Sequence, residues 1–104
     1  MITVEVYAKD YLDENEYELT DTLFRKFNLL NETYWTTAEI VGIAYQDPNI
    51  VGVIIGYENT CTVVQVAWDN QRKGIGSKLV KETGLFYPQQ NGAPEFWEYI
   101  DKLD

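Results

Sequence analysis

A chain of 104 residues, 45% apolar and 14% aromatic, is long enough for one domain with a real core and too apolar to stay disordered. Its formal charge is −9, and with no histidine and a single cysteine, Cys61, it excludes an intramolecular disulfide, a histidine-based metal centre and Ser-His or Cys-His nucleophilic catalysis. No segment approaches about 18 consecutive apolar residues, and "MITVEVYAKD" lacks a basic start followed by an apolar run, so the expectation is a soluble cytoplasmic protein with no metal and no membrane partner.

The charge is unevenly spread. Residues 1–71 carry 3 Lys/Arg against 12 Asp/Glu, whereas residues 72–104 carry 5 of each. The acidic two-thirds repels a nucleic-acid backbone and favours cationic partners, so direct nucleic-acid binding is not expected. Arg72, Lys73, Lys78 and Lys81 form one positive island, half of the cations in the chain.

The elements read as one domain over residues 1–104. "ITVEVYA" alternates as a strand, and Asp13 and Glu16 stand in capping-box spacing before a single amphipathic helix with Leu19, Leu23, Phe27 and Leu30 on one face. A helical turn follows through "NETYWTTAE". Next, "IVGIAYQ", "IVGVIIGYE" and "CTVVQVAWD", separated by Asp47-Pro48-Asn49 and Asn59-Thr60, predict an antiparallel three-stranded meander. "SKLVKE" is helical, "LFY" (residues 85–87) fits either a short fifth strand or a helix end, and Pro94 opens a last helix over "PEFWEYIDKL". The fold class is therefore α/β (α+β): a mainly antiparallel mixed sheet with flanking helices, in the order β-α(α)-β-β-β-α-(β)-α.

The stretch "VVQVAWDNQRKGIGSKLVKE" places the positive island where a strand turns into a helix. Gly74 and Gly76 let the backbone approach a ligand without a Cβ, the turn presents successive N–H groups, and the helix start near Ile75 adds its positive dipole end. Arg72 and Lys73 add charge and Ser77 a hydroxyl. Such a cradle suits a pyrophosphate, and a glutamate at position 76 is expected to abolish it without disturbing the fold. Competing glycine motifs do not match: a P-loop needs Lys-Ser/Thr after its second glycine, and a dinucleotide fingerprint needs a third glycine where Leu79 stands.

Gln71-Arg72-Lys73-Gly74-Ile75-Gly76, after a strand and before a helix, resembles the Q/R-x-x-G-x-G/A motif of the GNAT acetyltransferases. The closely similar segment covers about residues 62–81, and the order of elements covers nearly the whole chain. The resemblance implies acetyl-CoA as co-substrate, its pyrophosphate on Gln71 to Ser77 and its pantetheine arm along the fourth strand. Main-chain groups of Val66, Ala67 and Trp68 would hold that arm and polarise the thioester carbonyl. "QNGAPEFWEY" is similar to the family's N-x-x-A-x-x-x-Y segment, with Gln90 at the Asn and Trp97 at the Tyr that protonates the departing thiolate. Trp cannot donate that proton; Tyr99 is the substitute nearest in sequence and Tyr87 a second. The family's last two strands are not present in these 104 residues, and a second copy of the chain could complete the site.

For a general base the first candidate is Glu58, with Asp69 and Glu39 behind it. The acidic walls suit a cationic amine: a lysine side chain, an N-terminus, a polyamine or another small amine. A second reading is a non-catalytic or CoA-binding acidic protein on this scaffold that docks on a basic protein surface. Small phage-encoded proteins with miniature folds of this kind act as inhibitors or nucleic-acid mimics, which would place this one in a host cytoplasm.

Overall fold

The computed structural model describes residues 1–28, 30–67, 74–89 and 94–102, the last stretch without the side chains of Tyr99, Asp101 and Lys102. Its strands are β1 (Thr3–Ala8), β2 (Ile40–Gln46), β3 (Asn49–Tyr57), β4 (Thr60–Val66) and β5 (Tyr87–Pro88). Its helices are α1 (Lys9–Asn15), α2 (Tyr17–Lys26), α3 (Glu32–Thr37), α4 (Ile75–Thr83) and α5 (Pro94–Lys102). The five strands form one sheet in sequence order, antiparallel from β1 to β4, with β5 parallel to β4. "LFY" thus leads into a strand.

The single helix expected over residues 13–30 is instead two. Asp13 lies inside α1 and caps nothing: its carboxylate accepts a hydrogen bond from Trp35 Nε1 at 2.8 Å and pairs with Lys9 one turn earlier. The chain breaks at Glu16, which leaves helical geometry (φ −129°, ψ 53°) and offers α2 no side-chain cap. The break lets Leu12 from α1 and Leu23 from α2 both reach the core, and α2 stops at Phe27, also buried. α3 is capped as its sequence suggests, with the Asn31 side chain accepting from the Tyr34 N–H at 3.0 Å.

The sheet separates two apolar layers. Val41, Ile43, Val53, Ile55 and Val63 face Leu12, Leu23, Phe27, Leu30 and Trp35 from the first three helices. Ile54, Cys61 and Val51 face Ile75, Leu79 and Val80 of α4, together with Leu85 and the α5 residues Trp97 and Ile100. Two register shifts, at Ala44/Tyr45 and Ile55/Gly56, make this division possible. They leave Val51 and Thr62 as extra residues, so Cys61 and Val63 reach opposite layers although they are two apart.

α4 lies close because the sheet beneath it is bare. A Cβ at Gly42 would stand 2.6 Å from Thr83 Cγ2, and one at Gly52 would stand 3.1 Å from Leu79 Cδ1. These glycines weaken their strands locally and admit a helix in exchange.

Burial pushes the Cys61 thiol up to about 12. The Tyr7 phenol is also raised, by burial first and then by the hydrogen bond it donates to Glu5; Tyr45 beside it is raised, again mainly by burial. All three groups are neutral when protonated, and the folded chain holds their protons to higher pH than the unfolded one. Their stabilising contribution is therefore whole below about pH 8 and is lost as pH climbs through the unfolded values toward the folded ones. Urea midpoints are expected to be level from pH 7 to 8 and to fall above about pH 9, less steeply in Cys61→Ala. Equal slopes would remove the thiol from the account.

Candidate functional site

Among the described residues, β5 accompanies the start of β4. The parallel ladder pairs Thr60 with Tyr87 and Cys61 with Pro88, and the Gln89 N–H donates to the Cys61 carbonyl at 2.8 Å. β4 itself continues from Thr62 to Val66.

Beside the carboxyl end of β4 stands the N-terminus of α4. Gly74, its cap residue, is left-handed (φ 77°, ψ 9°), a backbone that disfavours every L side chain, and its carbonyl accepts the Lys78 N–H at 3.1 Å. A glycine cap has no side chain to place over the helix start, so Gly74 itself leaves the Ile75, Gly76 and Ser77 amides without a side-chain cap. Gly74, Ile75, Gly76 and Ser77 are thus brought together with the end of β4. Trp68, Gln71, Arg72, Lys73 and Gln90 lie outside the described residues.

Two sequence expectations change at this end. The Ala67 N–H donates to the Val51 carbonyl at 2.8 Å, so it is committed to the sheet and is not a donor for a thioester carbonyl. By the alternation of an antiparallel ladder, the Val66 N–H turns away from β3. Gly76, in turn, is not open space: a Cβ there would meet the Phe96 ring of α5 at 3.0 and 3.3 Å, with Val66 Cγ2 at 3.9 Å. A glutamate at 76 would displace α5 as well as block a ligand.

The proposed acid and base residues are not brought to one point. Glu58 is exposed in the β3–β4 turn at φ 53°, and Val66 stands at the other end of β4, roughly 20 Å away at the rise of a strand. Trp97, at the position of the family's tyrosine, is buried against Ile100 and crosses Phe96 edge to face at 5.0 Å. Tyr99 lies on α5, with its side chain outside the description; Tyr87 is exposed on β5, and Asp69 lies outside the described residues.

Beside the β4–β5 ladder, a cleft of about 340 Å³ is lined by Thr37, Glu39, Tyr57 and Gln89. The Glu39 N–H donates to Gly56 and its carbonyl accepts from Lys9, which pins its backbone from two sides. The Thr62 hydroxyl donates to Gln89 Oε1 at 3.0 Å and ties the residue after β5 to β4. Sequence reasoning found Glu39 but not Thr37, Tyr57 or Gln89. Only the threonine and glutamate are neighbours in sequence, so no local pattern marks this set.

The fold has solved counterparts. The chain is similar to an aminoglycoside acetyltransferase from an uncultured soil metagenomic sample in complex with sisomicin: 18% identity, TM-score 0.54, over 98% of this chain and 86% of that one. The same enzyme in complex with trehalose gives a TM-score of 0.53 at the same identity and coverage. An IAA acetyltransferase from Bacillus cereus ATCC 14579 aligns at 24% identity over 79% of this chain and 55% of its own, with a TM-score of 0.49. No protein-family profile matches the chain, and no curated protein matches it by sequence. The chain has a GNAT-like acetyltransferase fold.

Proposed function

We propose that this protein transfers an acetyl group from acetyl-CoA to a cationic amine. The observation that carries the reading is the first turn of α4, capped by a left-handed glycine, beside the carboxyl end of β4. That turn suits a pyrophosphate, Arg72 and Lys73 precede it in sequence, and an extended pantetheine arm matches the length of β4. The reading takes residues 1–104 as one domain acting in the cytoplasm, where acetyl-CoA is at hand.

In the reaction, the neutral amine attacks the thioester carbonyl carbon, the C–N bond forms and the C–S bond breaks. The coenzyme A thiolate leaves and takes up a proton, from water where no tyrosine stands in reach. The acceptor ammonium gives up two protons in all, one before attack and one as the amide forms, so one proton is released net.

The test is calorimetric titration with acetyl-CoA, with dephospho-CoA and ATP as controls, followed by an acceptor screen. Micromolar binding that requires the pantetheine arm is expected. No heat at millimolar acetyl-CoA would overturn the reading and favour the second one, a non-catalytic acidic scaffold that docks on a basic protein. Two observations favour that alternative: Trp97 is core, and Tyr11 and Tyr17 are 48% and 77% exposed among the carboxylates of α1 and α2.

A further inference from the structure

Resting on that reading, we infer that the cleft between α3, β3 and the end of β5 is the acceptor pocket, with Glu39 selecting a primary ammonium carried on a slim aliphatic arm. The cleft adjoins the last closed rung of the β4–β5 ladder, where the Gln89 N–H meets the Cys61 carbonyl. An arm laid along β4 from Ala67 reaches Thr62 after about 16 Å, at 3.3 Å per residue. Cofactor and acceptor therefore enter by different routes, one past the α4 terminus and the other from the α3 face. They meet at Thr62, beside the rung made by Gln89 and Cys61.

The lining fits an ammonium rather than a neutral amine or an anion. Glu39 has its backbone held by Gly56 and Lys9, and among the described residues no cation pairs with its carboxylate. Lys9 is engaged with Asp10 and Asp13, Arg25 with Asp21, and the Lys78 ammonium with the Ile2 carbonyl. The half-buried Tyr57 offers an aromatic wall and a hydroxyl. Gln89, its Oε1 taken by Thr62, keeps its amide N–H groups for a carbonyl or hydroxyl further along the acceptor. Before attack, the ammonium held beside Glu39 gives up one proton to water. The freed nitrogen lone pair forms the C–N bond, and the second proton leaves as the tetrahedral centre expels the thiolate.

The experiment uses the full chain and spermidine as probe. In an amide-resolved NMR titration without coenzyme A, spermidine is expected to shift Thr37, Glu39, Tyr57 and Gln89, and Glu39→Gln to lose those shifts. In turnover, Glu39→Gln is expected to raise the spermidine KM at least tenfold with a smaller change in kcat, leaving calorimetric acetyl-CoA affinity unchanged. If acetyl-CoA binds but spermidine leaves the four amides unmoved, or Glu39→Gln keeps its KM, the cleft assignment falls alone. If spermidine moves the four amides and acetyl-CoA does not bind, the ammonium site stands and the acetyltransferase reading falls.

Discussion

Gly56→Ala is expected to destabilise the protein by about 3 kcal/mol or more, the upper end of what overpacking costs in a closed core. A Cβ at Gly56 would lie 2.0 Å from the Thr60 carbonyl oxygen and 3.0 Å from Leu85 Cδ1. The first of these atoms is backbone, fixed by the register shift that pairs Gly56 with Cys61, and β5 is laid down on the same two residues, Thr60 and Cys61. Relief would require β4 to move and take β5 with it. Gly42→Ala meets only the Cγ2 methyls of Thr83 and Ile54, at 2.6 and 2.8 Å, and should cost less. Gly74→Ala meets nothing among the described residues, and its expected cost is the left-handed strain of about 1–2 kcal/mol. Urea denaturation should rank the three in that order, with the melting temperature of Gly56→Ala lower by roughly 12 °C or more. A Gly56→Ala variant as stable as Gly74→Ala would mean that the bulge tolerates a shift and that β5 is not anchored through it.

That ranking also shows what the sequence could not disclose. β2, β3 and β4 were legible because β-branched runs between short polar turns leave few alternatives, and α4 because its apolar residues recur at helical spacing below a glycine cap. The strands themselves gave no sign of the two register shifts. Those depend on which layer Val51, Cys61 and Val63 must reach, a question settled between strands and helices. The break at Glu16 was hidden for a similar reason. Asp13 has the chemistry of a cap, but its carboxylate is claimed by Trp35, 22 residues away. At the candidate site, the local half was legible: a glycine turn before a helix is a local motif. The acceptor cleft was not, because Glu39, Tyr57 and Gln89 come from three separate elements. The end of a strand favours Glu58 over Glu39 in the sequence, yet the fold puts Glu58 in a hairpin turn; Glu39 is exposed as well, but it lines the cleft.

The glycine turn is better probed by charge than by bulk. A residue at position 76 would press on Phe96, so loss of acetyl-CoA affinity in Gly76→Glu would combine a blocked cradle with a displaced α5. Arg72 and Lys73 allow the charge of the turn to be changed while the glycines and the contact with Phe96 stay as they are. A hydrogen bond to a charged group contributes about 1.5–3 kcal/mol, so Arg72→Glu with Lys73→Glu is expected to weaken acetyl-CoA at least about 100-fold at low salt. The loss should shrink as salt rises, because the screening length falls from about 30 Å at 0.01 M to about 3 Å at 1 M. Melting temperature measured on the same samples separates the causes. A variant that melts as the parent does and recovers affinity with salt reports an electrostatic cradle for pyrophosphate. One that melts early and binds poorly at every salt concentration reports a turn whose first role is to join β4 to α4, and the case for acetyl-CoA would then rest on the fold alone.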